Sequence, residues 1–162
     1  MFHASLYNGT REENAKLLYS QLDSLLEGEH HLIANLANAS ALLNQFLDRI
    51  NWVGFYLWQE ETQELVLGPF QGLPACVRIS SGRGVCGTAA KTRKTVVVPD
   101  VNQFPGHIAC DAASQSEIVI PVMKNGTLIG VLDIDSPEKN RFDEQDQREL
   151  ELFVERLASH LE

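Results

Sequence analysis

Three cysteines, Cys76, Cys86 and Cys110, lie in or beside the loop-rich middle of the chain. None lies inside an apolar run, where a buried thiol would merely fill space. Cys86 is near the start of a predicted short helix and follows Arg83, and both features favour the thiolate form. Cys110 follows His107 by three residues, and a nearby imidazolium would also lower a thiol pKa. The cysteines are candidate nucleophiles, and three unreactive thiols in irregular structure are the alternative.

Carboxylates form a second candidate group. Asp133 and Asp135 stand two residues apart at the end of an apolar strand, so both point to one face of a sheet. Glu117 begins the partner strand of the same predicted hairpin. With a two-residue Asn125-Gly126 turn, Glu117 would lie opposite Ile134 on the wrong face. With a one-residue bulge at Gly126, it would lie opposite Asp133. A functional trio requires the bulge, and solvated strand ends are the alternative.

Two aromatic residues could border the same site. Trp52 and Tyr56 are four residues apart on a predicted strand, so they share one face with Gly54 between them. Ordinary core packing of the two rings is the main interpretation, and a notch flanked by them is the alternative.

Spacing argues against metal and dinucleotide sites. The cysteines are separated by ten and 24 residues and lack the close C-x2-C pairing of structural zinc sites, so we expect no metal. His30 and His31 are adjacent on a predicted helix and would point about 100° apart. The segment 82–87 matches G-x-G-x-x-G, but the strand before it is short and polar. We interpret these glycines as a tight turn that leads into a helix.

Thiols and carboxylates without metal spacing suit a reaction in which sulfur attacks and an acid protonates a departing oxygen. Sulfoxide reduction is such a reaction: the attacking cysteine becomes a sulfenic acid, and a second cysteine converts it to a disulfide. A dithiol reductant must then reduce that disulfide. Crowded carboxylates raise one another's pKa, which keeps one of them protonated as the donor.

Composition limits the setting of this chemistry. The chain has 162 residues, 44% of them hydrophobic, which fits one domain with a single core. Its 13 basic and 22 acidic residues give a net charge of −9, which disfavours nucleic acid and anionic membranes as partners. The longest apolar runs are about five residues, against roughly 20 for a membrane-spanning helix. No secretory signal is visible at the start, so we expect a cytoplasmic protein.

Hydrophobic periodicity predicts the elements that position the candidate residues. A capping-box pattern at Thr10–Glu13 opens the first of two amphipathic helices within about residues 10–48. About six strands follow between residues 51 and 136, with a short helix over 84–92. An amphipathic helix over about 143–161 closes the chain. This order predicts an α+β fold: a central, mostly antiparallel six-stranded sheet, with N- and C-terminal helices on one face and a loop-rich pocket on the other.

Five segments spread along the chain carry a specific resemblance: Asn51-Trp-Val-Gly-Phe-Tyr56, Gly82-Arg-Gly-Val-Cys-Gly-Thr-Ala-Ala90, His107-Ile-Ala-Cys-Asp111, Ser116-Glu-Ile-Val-Ile-Pro121 and Gly130-Val-Leu-Asp-Ile-Asp-Ser136. With these motifs, essentially the whole chain resembles the free methionine (R)-sulfoxide reductases, which are single GAF domains. The resemblance implies one GAF-like domain over residues 1–162 and reduction of free methionine (R)-sulfoxide. It also implies thioredoxin as the electron donor, no organic cofactor or metal, and a homodimer.

The resemblance also implies roles for individual residues. Cys110 matches the family's usual nucleophile, whereas helix position alone favours Cys86. Cys86 and Cys76 match the two cysteines that act in recycling. Glu117, Asp133 and Asp135 match the family's active-site carboxylates. In the family these groups engage the sulfoxide oxygen and the polar end of the substrate. Trp52 matches the ring that packs on the substrate's methyl group, and Tyr56 would line the same pocket.

Two other functions compete with this interpretation. A non-catalytic GAF module would bind a cyclic nucleotide or pigment, and Asn140-Arg-Phe142 followed by Asp146 faintly resembles the cyclic-nucleotide signature. A bare sensor, however, does not need three cysteines around its pocket. A peptide methionine sulfoxide reductase is nearer in chemistry, but its own motifs are absent. A closed pocket would also exclude a peptide chain that continues on both sides of the methionine.

Overall fold

The computed structural model describes residues 7–108 and 112–162 of the chain. Cys110, the proposed nucleophile, lies outside the described residues. Those residues form four α-helices, six β-strands and a 3-10 helix at Val101–Gln103. The helices are α1 (Arg11–Leu26), α2 (Leu32–Phe46), α3 (Gly84–Thr92) and α4 (Glu144–His160). The strands are β1 (Trp52–Gln59), β2 (Glu64–Gly72), β3 (Arg78–Ser80), β4 (Val96–Val98), β5 (Ser116–Lys124) and β6 (Thr127–Ser136).

The strands form one antiparallel sheet in the order β3-β2-β1-β6-β5-β4. The first and last of the long strands, β1 and β6, therefore lie side by side at its centre. The predicted α+β fold is confirmed, as is the helix predicted over residues 84–92. Among the described residues, no helix is both long enough and apolar enough to cross a bilayer.

Helix starts follow local capping chemistry. The Thr10 hydroxyl accepts a hydrogen bond from the Glu13 amide at the start of α1, as the capping-box pattern predicts. The prediction for the adjacent histidines is wrong: His31 is the N-cap of α2, and His30 precedes the helix. The His31 ring accepts from the Ala34 amide at 3.4 Å and so caps the helix, and both histidines are exposed to solvent.

The sheet separates two apolar layers because alternate residues of each strand point to opposite faces. Val53 and Phe55 of β1 pack with α1, α2 and α4 in the larger layer. Trp52 and Tyr56 of the same strand belong to the second layer, which includes α3 and the loops around it. The terminal helices thus cover one face as predicted, and the loop-rich segments cover the other.

The β5–β6 hairpin sets which carboxylates share a face. Asn125 and Gly126 both have positive φ, 51° and 78°, as a two-residue hairpin turn of the primed type requires. The register then shifts between Val122 and Met123, because Ile129 is an extra residue in β6. The prediction that the trio needs a bulge is confirmed. The predicted position is wrong: the bulge is not at Gly126.

The bulge at Ile129 also changes the predicted partner of Glu117. The residue directly across from Glu117 is Asp135 rather than Asp133. Asp133 pairs instead with Val119 on β5 and with Gly54 on β1. Since residues two apart share a face, the three carboxylates still point to the α3 side of the sheet.

The segment that resembles a cyclic-nucleotide signature forms internal contacts. The buried Arg141 guanidinium donates to the Asp48 carbonyl and carboxylate, both at 3.1 Å, and to Asp146 at 3.3 Å. These bonds join Asp48, which follows the end of α2, to the first turn of α4. Arg141 and Asp146 therefore stabilise the helical layer, and neither lines the cavity on the opposite face.

Candidate functional site

A cavity lies between the sheet and the segments that cover its α3 face. It encloses about 550 Å³ of empty space, with open solvent at its mouth included. Among the described residues, the lining consists of Trp52, Tyr56, Pro74, Ala75, Ile79, Arg83, Gly84, Val85, Cys86, His107, Ile108, Ser114, Glu117, Asp133 and Asp135. The sheet supplies the rings and carboxylates, and α3 supplies the thiol.

The cavity floor is acidic and buried. Glu117 and Asp133 are each only 6% exposed. Burial is the largest influence on the pKa of Glu117, followed by Asp133 and Asp135, and together they raise it well above its usual range. Burial also raises the pKa of Asp133. The cluster therefore retains a proton on a carboxyl group at a pH where an isolated glutamate would be ionised.

Cys86 belongs to this acidic cluster. Its Sγ lies 4.0 Å from Glu117 Oε2, and the residue is 5% exposed. The prediction that its position favours the thiolate is wrong. Burial, followed by the nearby Asp133 and Glu117, raises the pKa of the Cys86 thiol well above its usual value. The partial charge at the start of a short helix does not offset the loss of hydration beside carboxylates.

His107 approaches the same cluster from the loop side. Its Nε2 is 3.9 Å from Glu117 Oε1, which is too long for a hydrogen bond. Burial lowers the pKa of His107 despite the opposing effect of Asp133, so the neutral imidazole is favoured. The predicted contact of His107 with Cys110 falls outside the described residues.

The aromatic wall shows the expected core packing rather than the alternative notch. The Trp52 and Tyr56 rings stack at 5.9 Å, and Phe70 of β2 also stacks on Trp52, at 5.1 Å. A Cβ at Gly54 would overlap the Phe70 side chain and backbone. Gly54 therefore allows close approach of β2, and Phe70 fills the space that the sequence suggested for a ligand. The two rings nevertheless line the cavity, as predicted.

Both rings hold the loop that carries Cys76. Trp52 Nε1 donates to the Leu73 carbonyl at 3.1 Å, and the Tyr56 hydroxyl donates to the Cys76 carbonyl at 3.0 Å. Pro74 and Ala75, between these two anchors, line the cavity. Cys76 is half-buried and disulfide-bonded, whereas Cys86 is a free thiol.

Several lining residues were not singled out as site residues from the sequence. Arg83 and His107 stand inside the motifs that carry the family resemblance, and that membership was the available signal. Ser114 lies between two of those motifs and accepts a hydrogen bond from Asn51 at 3.1 Å. Ile108 packs against Gly84, where a Cβ would meet its side chain. Ile108 stands inside the same motif as His107, whereas no motif or residue-type pattern predicts Ser114.

The raised pKa of Glu117 predicts a specific effect on stability. An acid with a higher pKa in the folded chain binds its proton more tightly when folded. The stabilisation that protonated Glu117 contributes is fully present below the pKa of the carboxyl group in the unfolded chain. It is lost as pH rises through the pKa of the same group in the folded chain. We expect the wild type to lose stability, relative to Glu117→Gln, as pH rises from about 5 to 8. Urea unfolding of both proteins across this range measures the difference in unfolding free energy.

A matched control for that series is Glu155→Gln, which removes an exposed carboxylate from α4. Its unfolding free energy should follow the wild type at every pH, because the side chain is exposed in the folded chain. A constant difference between wild type and Glu117→Gln across the pH range would contradict the raised pKa.

Comparisons with known proteins identify the family of the chain. Residues 37–162 match the GAF domain family. The chain is 58% identical to protein YtsP of Bacillus subtilis over 99% of both chains. It is 52% identical to the free methionine-R-sulfoxide reductase of Escherichia coli, over 89% of this chain and 86% of that protein.

A solved structure extends the likeness to three dimensions. The free methionine-R-sulfoxide reductase from Neisseria meningitidis, in complex with its substrate, aligns with a TM-score of 0.92 at 42% identity. The alignment covers 98% of this chain and 95% of that chain. The chain therefore belongs to the GAF-domain family of free methionine-R-sulfoxide reductases.

Proposed function

We propose that the protein reduces free methionine (R)-sulfoxide to methionine, with thioredoxin as the final reductant. The observation that carries the proposal is the buried pair Glu117 and Asp133, whose pKa values are raised inside a small cavity lined by a cysteine. A protonated carboxyl group in such a place is a donor for an oxygen that must leave. The Escherichia coli and Neisseria meningitidis relatives are free methionine-R-sulfoxide reductases.

Cys110 is the proposed nucleophile. Its thiolate attacks the sulfoxide sulfur, and a carboxyl group of the cluster protonates the sulfoxide oxygen. The sulfur–oxygen bond of the substrate breaks, methionine leaves, and Cys110 becomes a sulfenic acid. We assign the proton to Glu117, because its pKa is raised well above the usual value. Cys86 is a poor nucleophile, because burial beside the carboxylates favours its neutral thiol.

Cys76 is the proposed first resolving cysteine. Its thiol displaces water from the sulfenic acid, and a disulfide forms. The disulfide-bonded state of Cys76 in the structure supports this order over a first step through Cys86. The Cys86 thiol then attacks this disulfide and releases one of its two thiols, and thioredoxin reduces the new disulfide while its own dithiol becomes oxidised. Over the cycle, one sulfoxide and one dithiol give methionine, water and one disulfide.

Substrate recognition follows from the two sides of the cavity. Trp52 supplies an apolar ring for the substrate's methyl group, and Tyr56 lies beside it. Asp133 and Asp135 supply negative charge for its ammonium group. The loop around Pro74 and Ala75 closes the cavity and is fixed by hydrogen bonds to both rings. A free amino acid fits this enclosure, whereas a peptide needs an open groove on both sides.

The test is a coupled assay with thioredoxin, its reductase and NADPH. Separated R and S diastereomers of free methionine sulfoxide are offered, together with the same diastereomers within a peptide. We expect NADPH loss with the free R form. The rate should be at least about 100-fold lower with the S form, which places its sulfoxide oxygen against a cavity wall. It should be lower by a similar factor with the peptide, whose continuing backbone meets the cavity walls. Equal rates with the peptide would contradict the enclosed site.

A further inference from the structure

The described part of the chain contains a buried group of metal-ligand side chains from three separate elements. Cys86 of α3, Glu117 of β5 and Asp133 of β6 each offer one ligand atom, and these atoms lie within 4.8 Å of one another. We call these residues the Cys86 cluster. Sequence spacing could not reveal it, because 31 residues separate Cys86 from Glu117 and the fold brings them together.

An unpartnered oxygen lies in the same cluster. Asp133 Oδ1 is buried and accepts no hydrogen bond from the residues that the structure describes. The exposed fraction of Asp133 is 6%, so 94% of the residue is buried. An acceptor without a partner at this depth costs free energy, and a bound cation would satisfy it. This atom is the second observation that points to a ligand.

His107 supplies a fourth donor. Its Nε2 is 3.9 Å from Glu117 Oε1, and an imidazole nitrogen is a common zinc ligand. One sulfur, two carboxylate oxygens and one imidazole nitrogen form a set that suits Zn²⁺ in tetrahedral geometry. Mg²⁺ and Ca²⁺ prefer oxygen ligands throughout and fit this set poorly.

Zinc binding requires the ligand atoms to move closer together. Bonds of about 2.0–2.3 Å to a tetrahedral zinc ion place neighbouring ligand atoms roughly 3.3–3.8 Å apart. The ligand atoms of the Cys86 cluster lie within 4.8 Å of one another, and the Cys86 Sγ–Glu117 Oε2 distance is 4.0 Å. Side-chain rotations must therefore close gaps of up to about 1 Å in the cluster. His107 lies 3.9 Å from Glu117 but outside that group of three, so its ring must move further.

The surrounding charge favours a cation. Asp135 lines the same cavity, so three carboxyl groups face it. Arg83 is the lining residue with a permanent positive charge among those described, and it stands at the N-terminal end of α3. A divalent ion offsets repulsion that otherwise must be relieved by protons on the carboxyl groups and the thiol.

We propose that the Cys86 cluster, with His107, binds Zn²⁺ reversibly and that the bound ion inhibits the enzyme. The ion occupies the carboxylates that protonate and position the sulfoxide, so zinc and substrate exclude each other. The inhibition rests on the function proposed above, whereas the binding of metal does not.

Metal binding is tested with Co²⁺ as a spectroscopic probe on the full chain with its disulfide intact. We expect one equivalent of Co²⁺ to give a thiolate charge-transfer band in the near ultraviolet and visible bands typical of tetrahedral cobalt. Zn²⁺ should abolish both by displacement. Cys86→Ser should remove the thiolate band and raise the dissociation constant at least about 100-fold, since a ligand rather than its support is lost.

Glu155→Gln is the matched control, because it removes an exposed carboxylate from α4, away from the cluster, and should leave the cobalt spectrum unchanged. Asp133→Asn keeps the shape of the side chain and should weaken cobalt binding at least about tenfold even if Cys86→Ser fails to fold. Cobalt bound without a thiolate band, or with equal affinity by wild type and Asp133→Asn, would overturn the proposal.

The inhibition is tested separately by initial rates. Zn²⁺ should inhibit the reductase competitively with free methionine (R)-sulfoxide, and a chelator should restore the rate. Cobalt binding without inhibition by zinc would overturn the inhibitory role. A protein without reductase activity before zinc is added would contradict the proposed function, and the cobalt spectra would still decide whether the site binds metal.

Discussion

Cys110→Ser should abolish reduction of free methionine (R)-sulfoxide, with a fall in rate of at least about 10³-fold. A serine hydroxyl at this position cannot attack the sulfoxide sulfur at neutral pH, and no sulfenic acid can form. Single-turnover release of methionine, measured without thioredoxin, isolates the chemical step. Stoichiometric methionine release from Cys110→Ser would remove Cys110 as the nucleophile.

The other two cysteines provide matched controls for that experiment. Cys76→Ser and Cys86→Ser should each release one methionine per protein and then fail to turn over with thioredoxin, because the proposed nucleophile remains and recycling is lost. A Cys86→Ser variant without the single turnover would instead favour Cys86 as the nucleophile. That result would conflict with the raised pKa of its buried thiol.

Glu117→Gln should slow the chemical step by roughly 10²- to 10⁴-fold, which is the range for loss of a general acid. The amide keeps the shape of the side chain but has no acidic proton for the sulfoxide oxygen. In the wild type, the rate of the single turnover should fall as pH rises through the raised pKa of the cluster. The variant should lose that dependence, which distinguishes a proton donor from a residue that only positions the substrate.

Asp135→Asn tests the neighbouring carboxylate directly opposite Glu117 in the sheet. We expect a strong loss of rate here too, in the range of 10²-fold or more if it shares the proton with Glu117. Glu155→Gln on the opposite layer should react at the wild-type rate. Wild-type rates in both Glu117→Gln and Asp135→Asn would show that neither residue carries the proton.

The local elements were predictable because their signals are local. The span of α3 at Gly84–Thr92 follows from a glycine-rich turn that precedes a run of small helix-forming residues. Asp143 and Thr10 are the N-caps of α4 and α1. Each side chain accepts a hydrogen bond from the backbone amide three residues later in the chain. His31 was misjudged because its ring nitrogen acts as a cap, a role that belongs mainly to shorter side chains.

The geometry of the site was predictable only in part. The alternation of β6 placed Asp133 and Asp135 on one face, and the family motifs placed Trp52, Tyr56 and Glu117 beside them. The pairing of Glu117 could not be derived, because one additional residue at Ile129 shifts the whole hairpin. The core packing of the rings beside Gly54 was predicted, but its partner Phe70 was not, because that residue belongs to another strand.

The sequence by itself determined the helices and strands, the clustering of thiols and carboxylates in one region, and the class of reaction that they suit. The tertiary structure decided which carboxylates face one another and whether Cys86 is a thiol or a thiolate. The reason is physical: periodicity and capping act over a few neighbouring residues, whereas register depends on contacts between distant strands. A pKa depends on burial and on charges that only the folded chain assembles.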